Sequence, residues 1–310
     1  MMYLFERLSG ARPIAAGLLA TVLVGTSASG LIVQPSGSTL PADIPLDAVG
    51  TWGNNAAAIA VASGWVLTTR HQDSTTNPPD RTVVIDGMSY TADVDNQILF
   101  DSGGTTVDLR LVPLVDGSGN PAELTSFVEV YDGNISALGS TVTAITGFGP
   151  TIGATDTDGF DWAGTLDNGN ALNAGQNRIN GFDTIDTGTF SGMSVLVADF
   201  DEAGTPGLNG AVEFESTVSI GDSGGGWFIN DGGTWKLTGL THAVALDGDD
   251  DQNAGTTNDD FDAQAFFGQT LFAVDLRDYA TTINAIPEPT SLALLGAGGL
   301  LAMTRRRKQS

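Results

Sequence analysis

Ser223 lies in Ser219-Ile220-Gly221-Asp222-Ser223-Gly224-Gly225-Gly226, a serine and an acid enclosed by glycines. Glycine permits backbone angles and close approaches that other residues cannot adopt, so such a turn can hold a hydroxyl out at a surface. A serine hydroxyl becomes a nucleophile only when a neighbouring base accepts its proton. Imidazole does this near neutral pH, and a carboxylate on its far side fixes the tautomer. The chain has two histidines. His71 follows the strand-like Trp65-Val66-Leu67-Thr68-Thr69, and His242 lies inside "WKLTGLTHAV". His71 reads either as this base or as an exposed loop histidine. Asp108 opens "VDLRLVPL", where alternating leucines bury one face. It reads as the orienting carboxylate or as a turn residue or cap, with Asp93, Asp95 and Asp101 as rivals. The negative charge developing on a substrate oxygen needs preorganised donors, and the N–H groups of Gly221 and Ser223 suit that need.

Composition narrows the chemistry. The 310 residues include no cysteine, which excludes thiol catalysis and cysteine-ligated zinc. A domain of this kind without disulfides relies on its core. The formal charge is −25, and six of the twelve basic residues lie in the two terminal segments. The middle is therefore strongly acidic, which argues against nucleic acid or an anionic membrane surface as partner. Acidity of this kind serves solubility. Asp247, Asp249 and Asp251 in "DGDDDQNAGTTNDDFD" could offer oxygen ligands to a structural calcium ion, or form a solvated loop. No cofactor is needed for the serine chemistry.

The elements that must hold these residues are strands. Short β-type runs recur, broken by Gly, Asn and Asp clusters. Runs 56–63 and 65–69 flank Gly64, and 82–92 reads as a hairpin turning at Asp86-Gly87. Further strands are expected at 107–115, 141–148, 194–200, 235–245 and 263–274. Phe272, Leu276, Tyr279 and Ile283 fall at helical spacing and predict one amphipathic closing helix. The polar, glycine-rich 153–192 reads as extended loops with one strand pair. Many strands and one helix argue for barrels or a sandwich.

"WVLTTRH", "VDLRLVPL" and "GDSGGG", in the order His, Asp, Ser, resemble the chymotrypsin/trypsin family of serine endopeptidases. "TAITGFGPT", "WKLTGLTHAV" and the helix near Tyr279 add to the resemblance, which spans about residues 45 to 285. It implies an all-β fold of two antiparallel six-stranded barrels with a short C-terminal helix, the barrels at about 45–130 and 135–275. It implies Ser223 as nucleophile, His71 as base and acid, Asp108 as orienting carboxylate, and Gly221 and Ser223 as oxyanion donors. Protein or peptide substrates follow. By the family's layout Thr217 lies at the base of the substrate pocket, with Thr241 and His242 in its wall. Thr217 disfavours an Arg/Lys preference; His242 reads as favouring an acidic residue or as a core or rim histidine. Arg70 stands where the family has a small alanine. Asp222 reads either as the partner of a freed N-terminal Leu31 or Ile32, or as a local backbone acceptor. The alternative function is a silent protease-like domain that binds surface or matrix components. An esterase elbow is disfavoured, because the residues after Ser223 continue as a strand.

Both ends read as processing signals. Arg7 and Arg12, the apolar run from Ile14 to Gly25 and the small residues Thr26-Ser27-Ala28 form a signal-peptide pattern over 1–28, with 29–44 a possible propeptide. At 286–310, Pro287-Glu288-Pro289 precedes an apolar run, Ser291 to Met303, and the cluster Arg305-Arg306-Arg307-Lys308. A basic cluster after an apolar run stays cytoplasmic, and the run is short for a membrane span. The three parts resemble the PEP-CTERM sorting signal of Gram-negative bacteria; a simple tail anchor is the alternative. The signal implies an exosortase-type processing enzyme besides signal peptidase, with membrane contact only through this segment and delivery to the cell surface or beyond.

Overall fold

In a computed structural model of the chain, the described residues are 31–36, 40–53, 56–72, 80–135, 141–155, 159–164, 171–187, 189–204, 210–245 and 264–286. The signal-peptide pattern, the acidic loop with Asp247, Asp249 and Asp251, and the segment from Pro287 onward lie outside them. No helix among the described residues is long and apolar enough to cross a membrane.

A two-residue strand β1 (Ile32–Val33) precedes the first barrel. That barrel comprises β2 (Val49–Trp52), β3 (Ala56–Ala62), β4 (Trp65–Thr68), β5 (Thr82–Ile85), β6 (Met88–Ala92), β7 (Ile98–Ser102) and β8 (Thr105–Val115). Neighbours run β4-β3-β2-β5-β6-β8, and pairing of β4 with β8 closes a six-stranded ring from which β7 projects as a hairpin arm. The β5–β6 turn is the expected Asp86-Gly87, with φ of 48° and 71°. Two left-handed residues match the twist of a tight hairpin. β3 reads Ala-Ala-Ala-Ile-Ala-Val-Ala and is buried at every position. It faces the barrel interior on one side and the second barrel on the other, so small side chains let the two halves approach.

The second half carries β9 (Val142–Gly147), β10 (Thr151–Thr155), β11 (Gly159–Ala163), β12 (Asn173–Arg178), β13 (Gly181–Ile185), β14 (Met193–Asp199), β15 (Ser216–Thr217), β16 (Gly226–Asp231), β17 (Thr234–Val244), β18 (Gln264–Phe266) and β19 (Thr270–Asp275). Its main sheet runs β12-β9-β16-β17-β19-β14, with β13 as a hairpin arm on β14. The six strands curl into the second barrel; among the described residues no ladder joins β12 to β14, and the Asn177 side chain and the Asn180 backbone bridge that seam. Asn177 donates its amide to Asp199 O and Ser216 O at 2.9 Å each, and Asn180 N–H reaches Val197 O at 2.8 Å. Trp227, Ile145, Leu196 and Leu271 fill this interior. β1 pairs with β15 and drives Leu31 and Ile32, both fully buried, into the same core. At about 1.5–3 kcal/mol per buried aliphatic side chain, that contact anchors the segment.

Three expectations change. Residues 153–192 contain strands β11, β12 and β13 and the end of β10, more than the single pair expected. The run 263–274 is two strands in different sheets, divided by a turn at Gly268, φ 89°. The closing helix α1 (Ala280–Asn284) is five residues long; Phe272 belongs to β19 and Leu276 to the turn after it. The helix packs on the first barrel, with Tyr279 edge-on to Phe100 at 5.2 Å. Asn284 clasps the inter-barrel connection by accepting from Val130 N–H and donating to Val130 O.

Candidate active site

Barrel closure itself brings His71 and Asp108 together. The β4–β8 ladder ends at Thr68 opposite Arg110, so two residues further Arg70 faces Asp108 across the same register. Asp108 Oδ1 accepts the N–H groups of Arg70 and His71 at 2.7 and 2.8 Å. Its Oδ2 lies 2.5 Å from His71 Nδ1. Asp108 is fully buried, whereas Asp93, Asp95 and Asp101 sit at exposed or half-buried positions.

The serine arrives from the second barrel. Three backbone hydrogen bonds pin its loop: Ala57 N–H to Ser223 O, Gly224 N–H to Thr241 O, and Thr241 N–H to Gly225 O, at 2.7 to 2.9 Å. Gly224 has φ 78°, and a Cβ there would lie 2.3 Å from Ala57 O. Glycine at 224 and alanine at 57 are therefore what let the loop touch β3. Ser223 Oγ comes to 2.9 Å from His71 Nε2. Gly221 is left-handed at φ 93°. Among the described residues the amides of Gly221 and Ser223 make no backbone–backbone hydrogen bond.

Two buried carboxylates flank this centre. Burial pushes Asp108 upward, but hydrogen bonds from His242 and His71 and their electrostatic attraction outweigh it and hold it at about 2. Asp222, next to the serine, accepts Gly149 N–H, Ser219 N–H and Ser219 Oγ–H at 2.8 Å each. Burial dominates there and pushes it up to about 7. Asp222 thus accepts from local groups, and Leu31 and Ile32 are buried in the core.

The residues expected to form a substrate pocket, Thr217, Thr241 and His242, are all buried and hydrogen-bonded to the protein. Thr217 is fully buried in β15, its hydroxyl 3.3 Å from Gln269 Oε1. Thr241 accepts the Trp227 indole N–H at 3.1 Å. His242 turns inward, its Nδ1 2.6 Å from Asp108 Oδ2, so this nitrogen is not offered to an acidic substrate residue. His71, Asp108 and His242 present ligand atoms within 4.8 Å of one another, a set that could also hold a metal ion, though here they hydrogen-bond to each other. Gln72 is a further contact that sequence reasoning missed. Its Nε2 lies 2.7 Å from His71 Nε2, on the atom that faces Ser223. Arg70 swings clear of the serine, with its guanidinium 6.0 Å from the Phe190 ring and Nη1 on Val107 O.

Residues 285–308 match the model of the PEP-CTERM protein-sorting motif. The motif indicates export and sorting to the cell surface in Gram-negative bacteria through an exosortase-type enzyme. Among solved structures, the chain is similar to an inactive, serine-to-alanine mutant form of Rv3671c from M. tuberculosis H37Rv. The identity is 14% and the TM-score 0.45, covering 85% of this chain and 97% of that one. A second structure, of Rv3671c protease in an inactive form, matches at 14% identity and TM-score 0.44, covering 81% and 100%. No curated protein matches the chain.

Proposed function

We propose that this chain is an exported serine endopeptidase whose domain spans about residues 45–285. The observation that carries the reading is the continuous contact from Asp108 through His71 to Ser223, at 2.5 and 2.9 Å. An ionised, buried Asp108 accepts from His71 Nδ1–H, which leaves the Nε2 lone pair directed at the serine. Ser223 Oγ then attacks a peptide carbonyl while His71 takes its proton, forming the tetrahedral intermediate. The amides of Gly221 and Ser223 receive the oxyanion. His71 returns the proton to the leaving amine, and water repeats the cycle on the acyl-enzyme. The substrates are proteins or peptides met outside the cytoplasm, at the cell surface or beyond.

One observation favours a second reading, a catalytically silent binding domain. Gln72 donates to the same His71 nitrogen that must accept the serine proton. A peptide-library digest read by mass spectrometry separates the two. Cleavage by the full-length chain, absent in Ser223→Ala, supports the peptidase; intact peptides with both proteins support the binding domain.

A further inference from the structure

The second histidine has no place in the reaction just described, yet the fold aims it at the same carboxylate. β17 pairs regularly with β19 up to Thr241 opposite Ala273, then resumes at Ala243 opposite Phe272. His242 is the extra residue of this β-bulge, a device that re-aims one side chain against the alternation of a strand. The bulge turns its ring into the barrel interface, where only 6% of the side chain remains exposed. Nδ1 lies 2.6 Å from Asp108 Oδ2. An ionised carboxylate only accepts, so that nitrogen carries a proton. The ring stands edge-on to His71 at 5.5 Å and meets Phe190 on another side at 6.4 Å.

We propose that His242 is a positioning residue for the reaction: a second imidazole that fixes Asp108 Oδ2 so that one carboxylate orients both rings. The proposal rests on the peptidase reading. Asp108 then has four donors, backbone N–H groups of Arg70 and His71 on Oδ1 and the two imidazoles on Oδ2. Rotation of the carboxylate would break several of them at once, so His71 is held in the tautomer that serves Ser223. The charged or titratable groups facing His242 are Asp108 from β8, His71 from the segment after β4, and Arg70 beyond Phe190.

The test compares full-length wild type with His242→Ala, His242→Asn and His242→Gln. An asparagine amide N–H reproduces the position of Nδ1–H, and a glutamine reaches to the position of Nε2. His242→Ala is expected to lower kcat by about 10–100-fold, as for loss of a group that orients a catalytic one, with KM nearly unchanged. His242→Asn restores most of kcat and His242→Gln does not. Wild-type kcat in His242→Ala, or equal loss in the Ala and Asn variants, overturns the proposal. A readout without turnover separates this from failure of the peptidase reading. Full-length Ser223→Ala should show two low-field imidazole Nδ1–H proton resonances, and Ser223→Ala/His242→Asn one. Two resonances in a chain that cleaves nothing would leave the His242 contact standing and remove the peptidase. A single resonance in the parent would remove the contact.

Discussion

Asp108 and Asp222 sit on opposite sides of one serine, both closed off from solvent, and burial pushes both in the same direction. They end in different charge states. Two imidazoles and two backbone amides hold Asp108 at about 2. Asp222 has neutral donors alone, from Gly149 and Ser219, and rises to about 7. Neutral donors satisfy a carboxylate's geometry without repaying the cost of removing its charge from water, whereas a partner that can itself become charged does so. The fold thus keeps one carboxylate for electrostatic work near neutral pH. The other is left as a hydrogen-bonding strut under the serine loop.

The largest expected effect comes from neutralising the charged member. Asp108→Asn keeps the shape, but its amide can no longer accept from both rings, and His71 loses the partner that fixes its tautomer. We expect kcat to fall by about 10⁴-fold, measured as initial rates on any cleaved peptide, with the thermal midpoint much less affected. Asp222→Asn should lower kcat far less, because its hydrogen bonds come from Gly149 and Ser219 and not from the two imidazoles. Equal losses in the two variants would dissolve the contrast.

Stability should separate them next. A carboxyl whose folded pKa lies above its unfolded value binds more protons in the folded state. It therefore loses stability as pH rises through that interval. Asp222, at about 7, and Glu215, pushed by burial to about 8, both act in this direction. Asp108 contributes stability that is lost only as pH falls toward 2. Urea denaturation should thus show the protein less stable at pH 8 than at pH 5, by on the order of a few kcal/mol. Asp222→Asn should flatten part of that slope. Asp222→Ala leaves the donors of Gly149 and Ser219 unmet and should cost about 1–3 kcal/mol even at pH 5.

The smallest effect belongs to Gln72. Its amide places one more neutral donor on His71 Nε2, in competition with Ser223. Gln72→Ala should raise kcat/KM by about 2–5-fold, because general-base efficiency depends on a free lone pair. A fall would show that Gln72 supports the ring instead.

Much of the first barrel was legible because its local signals agree. Asp86-Gly87 names its turn, and the alternation through Leu109, Leu111 and Leu114 names the strand whose start carries Asp108. The second barrel hid its seam. β12, Asn-Ala-Gly-Gln-Asn-Arg, lacks an apolar pattern because Asn177 uses its amide to bind two backbone carbonyls, so polar residues stand where a strand would show hydrophobic ones. The spacing of Phe272, Leu276, Tyr279 and Ile283 predicted a longer helix, but the core draws Phe272 into β19 and only the last turn coils. His242 read from the strand either as a pocket-wall residue or as a core or rim histidine, and a bulge at that residue aims its ring at Asp108. Alternation cannot reveal a bulge, and Gln72 gave no signal beyond its position after the histidine.

The central claim is that Ser223 is activated through His71 and Asp108. Fluorophosphonate labelling of the full-length chain, with Ser223→Ala and Asp108→Asn beside it, tests that most directly. The account predicts rapid labelling of the wild type, none of Ser223→Ala, and labelling of Asp108→Asn slowed by orders of magnitude. Labelling that persists in Ser223→Ala, or proceeds equally fast in Asp108→Asn, would contradict it.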